Sequence, residues 1–437
     1  MQETSVRLHP IGNGTLTPRV PREFAAVMDA LQLVGANTDA LLRLETEDWQ
    51  KLVDFCDLAH LTLPLSRVDR AGFPDWVSHR LETNLANNAE RFELVQAVYM
   101  EAEAALRHAG VAHIVVKGFT QAPAYVADPR LRMQSDLDIF CPQDMLDAAR
   151  AALMRIGYAS SNAQDYSRAD HIPTLTRSGN WQWRGNMFDP EMPPSIELHF
   201  CLWNDKVSMI EIPEVKRFWD RRVLRQLGHV KFRGLSDVDQ LGYLALHILR
   251  GVISGDWIVH HVNELATFLH SNVANVEFWN HWLVTHSLRL RALEAIAFDL
   301  ARRWFSCACS PIVCSEIERL PNMQKRWLHR FSGAPLEVMF RRNKDGHLLH
   351  VLLTDTREAR RSAVRRALIP ARIVGPGAAA VIIRYRRSTG PHKINRYVHY
   401  LEFLLKKLFE IASSNTVFLF HGSILWLSGR SFGADSG

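Results

Sequence analysis

Residues 76–108 contain neither glycine nor proline, and their apolar side chains recur at helical spacing: Leu81, Leu85, Phe92, Leu94, Val95, Val98, Met100, Ala104 and Leu106. Such a stretch folds as one long helix with an apolar stripe. Gly110 ends it, and the period of the pattern then changes. Residues 112–116 form a short β-branched run that ends in Lys117-Gly118, which reads as a strand and a turn. A short helix is expected over 119–126, broken by Asp128-Pro129. A second strand follows over 137–140, then an amphipathic helix over 142–156 ended by Gly157, and a third strand over 195–202. Between the last two, Asn180-Trp181-Gln182-Trp183-Arg184-Gly185 suggests a hairpin.

Helical patterns lie on both sides of this β-rich insert. Before it come residues 23–33 and 47–59, the latter opened by Thr46. After it come residues 236–250, capped by Ser236 and ended at Gly251, and 256–270, with further helices to about residue 320. The predicted fold class is therefore α+β: a small mixed-sheet core flanked by N- and C-terminal helical regions. Its divisions are a polar segment at 1–20, a helical region at 21–110, the sheet-bearing core at 111–205, a helical region at 206–350 and a basic extension at 351–437.

A chain of 437 residues is long enough to bury a large core without covalent staples. Its net charge of +6 admits nucleotides, nucleic acids or anionic surfaces as partners and selects none of them. The N-terminal sequence lacks a signal-peptide pattern and no apolar run is long enough to span a bilayer, so a cytoplasmic location is expected. Cys307, Cys309 and Cys314 fit no common zinc spacing and read as small packing residues.

The chemistry centres on Arg132-Met133-Gln134-Ser135-Asp136-Leu137-Asp138-Ile139-Phe140. Side chains alternate along a strand, so Asp136 and Asp138 share a face, their Cβ atoms about 6–7 Å apart, while Leu137 faces the core. Carboxylates so placed suit a pair of divalent cations about 3.5–4 Å apart. An Asp-x-Asp alone is a weak signal; its companions strengthen it. Lys117-Gly118 offers a charge and a close backbone approach for phosphates. In Ser195-Ile196-Glu197-Leu198-His199, Glu197 and His199 share one strand face whose opposite face is apolar. Glu197 is the candidate third carboxylate, and His199 reads either as a functional residue or support for the ligands or as a simple hydrogen-bonded histidine near the sheet end. Arg132, on the loop before the strand, is placed to meet a phosphate or to fix the carboxylates.

These residues carry a resemblance. The string IVVKGFTQAPAYVADPRLRMQSDLDIFCPQDMLDAARAALMRIGY, with IELHF further on, resembles the uncharacterised nucleotidyltransferase family of the DNA polymerase β-like superfamily. The match is specific between about residues 111 and 200 and weaker through LALHILRG and DWIVHHVNELATFL. The resemblance implies a mixed-sheet core with Asp136, Asp138 and Glu197 as catalytic and metal-binding carboxylates. It also implies Lys117, Gly118, Arg132 and Ser135 as nucleotide-binding residues, two Mg2+ ions, and an NTP, ATP in the simplest case, as co-substrate. The chain departs from the wider superfamily in having Lys117-Gly118 in place of a Gly-Gly or Gly-Ser pair, and Glu197 and Glu264 in place of aspartates.

The implied reaction is transfer of a nucleoside monophosphate to a hydroxyl-type acceptor: a small molecule, a sugar or a peptide. Two alternatives stand beside it. One is a catalytically inactive nucleotide-binding or scaffold protein of the same fold. The other is a nucleic-acid-modifying transferase that uses the basic extension, where Arg384-Tyr385-Arg386-Arg387 and Arg396-Tyr397 interleave charge with aromatic rings. Leu401, Phe403, Leu404, Leu405 and Leu408 beside Lys406 and Lys407 read instead as an amphipathic helix, docked on the protein or lying on a membrane. His247, Arg250, His260, His261 and Glu264 read as an acceptor-side cleft or as plain interhelical polar contacts, and Trp181 and Trp183 as base-stacking or packing residues.

Overall fold

The computed structural model describes residues 3–5, 19–160, 170–177, 179–369 and 396–430. The expectations for Arg372, Arg384, Tyr385, Arg386, Arg387 and the turn at 375–380 lie outside these, as do most of those for the first 20 residues.

The long helix, α1, spans Asp75–His108. Its buried face is not purely apolar. Leu81, Val95, Val98 and Leu106 are joined there by Asn84, Asn88, Arg91 and Gln96. The apolar C-terminal half covers a five-stranded sheet, and the polar middle holds loops that lead into that sheet.

The strands are β1 (Ile114–Val116), β2 (Asp136–Phe140), β3 (Tyr158–Ser160), β4 (Leu175–Arg177) and β5 (Ser195–His199). Their order across the sheet is β1-β2-β5-β4-β3. β2 and β5 run parallel, the other pairs antiparallel, so the sheet is mixed. The crossover between β2 and β3 is α2 (Leu146–Arg155), shorter than the pattern over 142–156 because its first turn is a 3-10 turn at Gln143–Met145.

Strand alternation divides the sheet cleanly. Val115, Leu137, Ile139, Ile196 and Leu198 point to one side and pack with Val95, Val98, Tyr99 and Leu106 of α1 and Ala149, Ala152 and Leu153 of α2. Burying a side chain such as Leu137 or Ile139 contributes about 1.5–3 kcal/mol. Ile114, Val116 and Phe140 point the other way, into the larger core formed by the helices. Asp136, Asp138, Glu197 and His199 alternate with the first set and therefore face the helical body.

That body begins after a hairpin of β6 (Val223–Leu227) and β7 (Val230–Gly234). It is built on α3 (Asp237–Ser254), α4 (Val259–Ser271) and α5 (Leu288–Phe305), which pack on one another. Ser236 caps α3 by accepting from the Asp239 amide. The helix passes through Gly251 and stops at Ser254, with Gly255 in the left-handed region at φ 77°. Gly251 is there for packing: a Cβ would lie 2.1 Å from Cγ2 of Ile258.

Two other expectations also change. Residues 119–126 hold one 3-10 turn, Gly118–Gln121, because Pro123 has no amide hydrogen with which to continue a helix. The segment 180–185 forms no hairpin. Trp181 donates instead to Oδ2 of Asp189 at 3.0 Å, and Trp183 is half exposed beside it.

The last helix, α6 (Arg396–Arg430), docks through buried Phe418 and Leu425 but leaves Leu405, Leu408, Phe409, Leu419, Phe420 and Trp426 exposed. Among the described residues, no helix is long and apolar enough to cross a membrane. The described cysteines are all free thiols.

Candidate active site

The parallel register of β2 and β5 sets Asp136 opposite Ser195, Asp138 opposite Glu197, and Phe140 opposite His199. Three acidic residues on adjacent strands thus share one face. Ligand atoms of Asp138, Glu197 and His199 all lie within 4.8 Å of one another, the one such group of potential metal ligands among the described residues.

Asp138 is the most heavily bound member. Its Oδ1 accepts from Nζ of Lys117 at 2.7 Å and faces Nε2 of His199 at 2.7 Å. Burial would raise its carboxyl, but Lys117 and His199 outweigh that and hold it well below the usual carboxylate range. Lys117 is correspondingly held above its ordinary value, because Asp138, Tyr243 and Asp136 together outweigh the effect of burial.

Asp136 behaves in the opposite way. Burial, with Asp138 and Glu197 close by, pushes its carboxyl up to about 7, despite Lys117 and Arg132. Two neighbouring carboxylates on one strand are therefore driven apart in acidity. Glu197 keeps about a fifth of its side chain exposed and accepts from Oγ1 of Thr174 at 3.2 Å.

His199 is fully buried, and its Nδ1 has no hydrogen-bond partner. The nearest acid to that nitrogen is Oδ2 of Asp170, at 3.8 Å. Asp170 is paired in turn with Arg250 of α3. Arg250, His199 and Lys117 hold the Asp170 carboxyl down, although burial opposes them. Asp170 carried no sequence signal, since it sits in a polar stretch with no regular period.

Lys117 and Gly118 both have positive φ, 55° and 53°. The glycine does not leave room for a phosphate here. Gln134 fills the space, and a Cβ at Gly118 would lie 2.2 Å from its Nε2. Gln134 also accepts from the Phe119 amide at 2.9 Å and donates to the Asp136 carbonyl at 2.7 Å. The Phe119 amide is therefore engaged by Gln134 rather than open to a phosphate. Gln134 ties the turn after β1 to the start of β2, a role the sequence did not reveal.

Arg91 of α1 was also missed. It is 1% exposed and donates to the carbonyls of Gln134, Asp189 and Met192 at 2.8–3.0 Å. One guanidinium thus gathers the loops that precede β2 and β5. Asn88, one turn earlier, donates to the carbonyls of Arg130 and Arg132 at 2.6 and 3.1 Å. Ser135 joins β5 through its carbonyl, which accepts from the Ser195 amide at 3.1 Å.

With that loop pinned, the Arg132 side chain turns to α4 rather than to the aspartates. Its Nε donates to Oε1 of Glu264 at 2.7 Å. Glu264 also faces Nδ1 of His261 at 3.4 Å. His261 Nε2 meets His247 Nε2 at 3.1 Å, and His247 Nδ1 lies 3.3 Å from Nη2 of Arg250. One proton assignment satisfies the whole chain. Arg250 donates to His247, His247 donates to His261, and His261 donates to Glu264, which leaves both imidazoles neutral. Burial agrees, holding His247 and His261 well below the ordinary histidine value. The polar residues of α3 and α4 thus form one line from Asp170 to Arg132.

Among known families, residues 45–306 match an uncharacterised nucleotidyltransferase family. That is 262 of the 437 residues, more than half of the chain. The chain belongs to this family. The α+β core is consistent with this family, and the matched region takes in β1 to β5 and all of α3, α4 and α5. No curated protein and no solved structure matches the sequence.

The donor set suits a divalent cation. Carboxylate oxygens with one imidazole favour magnesium or manganese over softer ions. Oδ2 of Asp138 makes no hydrogen bond to the described residues, and the mutual repulsion that raises Asp136 is what a cation would relieve. Asp138, Glu197 and His199 are the residues that could share such an ion in this arrangement; Asp136, expected as a ligand, lies on the same face but outside that group.

Proposed function

We propose that this protein transfers a nucleoside monophosphate, in the simplest case AMP from ATP, to a hydroxyl-type acceptor. The acceptor oxygen forms a bond to the α-phosphorus, the bond from that phosphorus to the bridging oxygen breaks, and pyrophosphate leaves. The acceptor proton passes to a carboxylate, for which the partly exposed Glu197 is a candidate. The observation that carries this reading is the alignment of Asp136, Asp138 and Glu197 on one face of two parallel strands, with Asp136 pushed up to about 7 by its burial and its acidic neighbours.

Two magnesium ions bound there would neutralise the phosphates and stabilise charge developing on the attacking and leaving oxygens. Asp136, Asp138 and Glu197 would hold them. Lys117, Gly118 and Ser135 stand at the same end of the sheet, where the triphosphate would lie. Lys117 would exchange its bond to Asp138 for a phosphate oxygen once a cation neutralises that carboxylate. Arg132 stands beside them, steadied by Glu264.

A second reading draws on the same turn. Lys117 is committed to Asp138, and Gln134 occupies both the space over Gly118 and the Phe119 amide. A chain that binds nucleotide without turnover would look like this. The test is incubation with ATP, Mg2+ and a panel of small-molecule, sugar and peptide acceptors, read by mass spectrometry. A nucleotidyl adduct that disappears in Asp136→Asn plus Asp138→Asn supports transfer. An adduct unchanged by that double substitution removes the acidic centre from the chemistry. Metal-dependent ATP binding with no adduct across the panel favours the second reading.

A further inference from the structure

The two ring nitrogens of His199 stand in different surroundings. Nε2 lies 2.7 Å from Oδ1 of Asp138 and 3.8 Å from Oε2 of Glu197. Nδ1 is buried and makes no hydrogen bond to the described residues. The contact at Nε2 fixes where the ring hydrogen is. Oδ1 of Asp138 already accepts from Nζ of Lys117, so it accepts from His199 as well, and Nε2 carries the hydrogen. Nδ1 is then left bare. Oδ2 of Asp170 faces it at 3.8 Å, beyond hydrogen-bond reach, which is the spacing that two opposed lone pairs impose.

Binding an ion reverses this requirement. His199 can share a cation with Asp138 and Glu197 only through Nε2, the nitrogen that faces both carboxylates, and only with a lone pair there. The ring hydrogen then belongs on Nδ1. A ligating histidine holds that second N–H on a carboxylate or a carbonyl, and a buried N–H without an acceptor destabilises the site.

Asp170 is built to be that acceptor. Its carbonyl accepts from the Phe200 amide at 3.0 Å, and the Ile172 amide donates to the Leu198 carbonyl at 3.0 Å, so residues 170–172 run antiparallel to the end of β5. The side chain is only 9% exposed, and Nη1 of Arg250 donates to its Oδ2. Arg250 comes from α3, so the carboxylate is gripped from a second element and kept ionised. A carboxylate oxygen has room for two donors, which leaves Oδ2 able to take Nδ1–H beside the guanidinium. His171 also stands near, but its Nε2 faces the other oxygen of Asp170, Oδ1, at 4.0 Å, and Oε2 of Glu197 at 3.9 Å.

We propose that Asp170 is a positioning residue for the acidic centre: when Nε2 of His199 ligates a divalent cation, the ring hydrogen resides on Nδ1 and is held by Oδ2 of Asp170, with Arg250 fixing that carboxylate. The inference rests on the reading of the acidic centre as a cation site. The net protonation of the ring is unchanged, since Nε2 gives one proton to solvent as Nδ1 takes one up.

The test uses the full-length chain in two measurements. In the first, 15N-histidine-labelled wild type is followed by nuclear magnetic resonance in EDTA and then with Mg2+ and ATP, the His199 signals being those that His199→Gln removes. The ring hydrogen should be on Nε2 in EDTA and on Nδ1 with Mg2+. In the second, Mn2+ uptake with ATP is followed by electron paramagnetic resonance. Asp170→Asn should weaken it about 10–100-fold, because the amide can donate to Nδ1 and hold the hydrogen on Nε2. Asp170→Glu, which keeps the carboxylate, should recover part of that loss. A residue that only braced the fold would lower the melting temperature in EDTA and leave the wild-type ring hydrogen where it was. A hydrogen on Nε2 in both states, or uptake by Asp170→Asn within about threefold of wild type, overturns the proposal, and wild-type uptake would still leave the acidic centre standing. No wild-type uptake beyond that of ATP alone overturns both. Should Asp170→Asn fail to fold, the position of the ring hydrogen in wild type decides alone.

Discussion

Replacing Asp136 by asparagine should make the metal-free protein more stable, although it removes a central residue of the proposed site. The reasoning starts from charge. Asp136 stands near 7 in the folded chain against 3.8 for an unperturbed aspartate. The folded state therefore holds one more proton than the unfolded state between those two values. Stability falls as pH rises through that window, because ionising Asp136 then requires charge beside Asp138 and Glu197. The difference is about three pKa units, each about 1.36 kcal/mol, or about 4 kcal/mol as a ceiling. Asp136 retains some solvent contact, so screening reduces this to about 1–2 kcal/mol. For a chain of this size that raises the melting temperature by about 1–2 °C. The assay is thermal denaturation in EDTA at pH 8 and at pH 4.5. Asp136→Asn should melt higher than wild type at pH 8, and the gain should shrink toward pH 4.5, where the wild-type carboxyl is itself protonated. With Mg2+ present the order should reverse at pH 8, since only the wild type is stabilised by the ion. A lower melting temperature for Asp136→Asn in EDTA at pH 8, or an equal response of both proteins to Mg2+, would refute the argument.

Three further outcomes follow from the same geometry. Divalent-ion affinity should fall by up to about tenfold per pH unit below about 7, with close to one proton released per site on binding, measured by titration in buffers of different ionisation heat. Arg91→Met should cost about 3 kcal/mol or more in urea denaturation, because it strips the carbonyls of Gln134, Asp189 and Met192 of their buried donor; a loss below about 1 kcal/mol would show that those loops hold themselves. Gly118→Ala should destabilise by about 2–3 kcal/mol, since it adds a Cβ at positive φ against Gln134. Gln134→Ala in the same chain should recover part of that loss, whereas a purely backbone effect would leave it unchanged.

The fold was legible where a periodic signal and its boundaries coincided. The glycine-free run gave α1, the β-branched run at 112–116 gave β1, short strands were expected where β2 and β5 lie, and alternation alone placed Leu137 in the core and Asp136 beside Asp138. Other features depend on contacts distant in sequence. The short edge strand β3 and its neighbour β4 pair through Tyr158 and Arg177, residues that show no local alternation. The side-chain route of Arg132 was set by Asn88 holding its loop and by Glu264, 132 positions away, accepting a hydrogen bond from its Nε. Gln134 and Arg91 act through backbone carbonyls, which leave no trace in side-chain patterning. Gly118 shows the limit most directly. Its positive φ was readable from residue type, but the group that fills its missing Cβ was not.

Manganese binding tests the acidic centre most directly. Mn2+ titrated into the wild-type chain with ATP, and followed by electron paramagnetic resonance, should lose its free-ion signal in proportion to protein, beyond the loss that ATP alone causes. Asp136→Asn plus Asp138→Asn should abolish that extra uptake while ATP alone still accounts for the remainder. Uptake undiminished in the double variant would mean that the three carboxylates of β2 and β5 hold no ion, and the nucleotidyl-transfer chemistry proposed for them would have no seat.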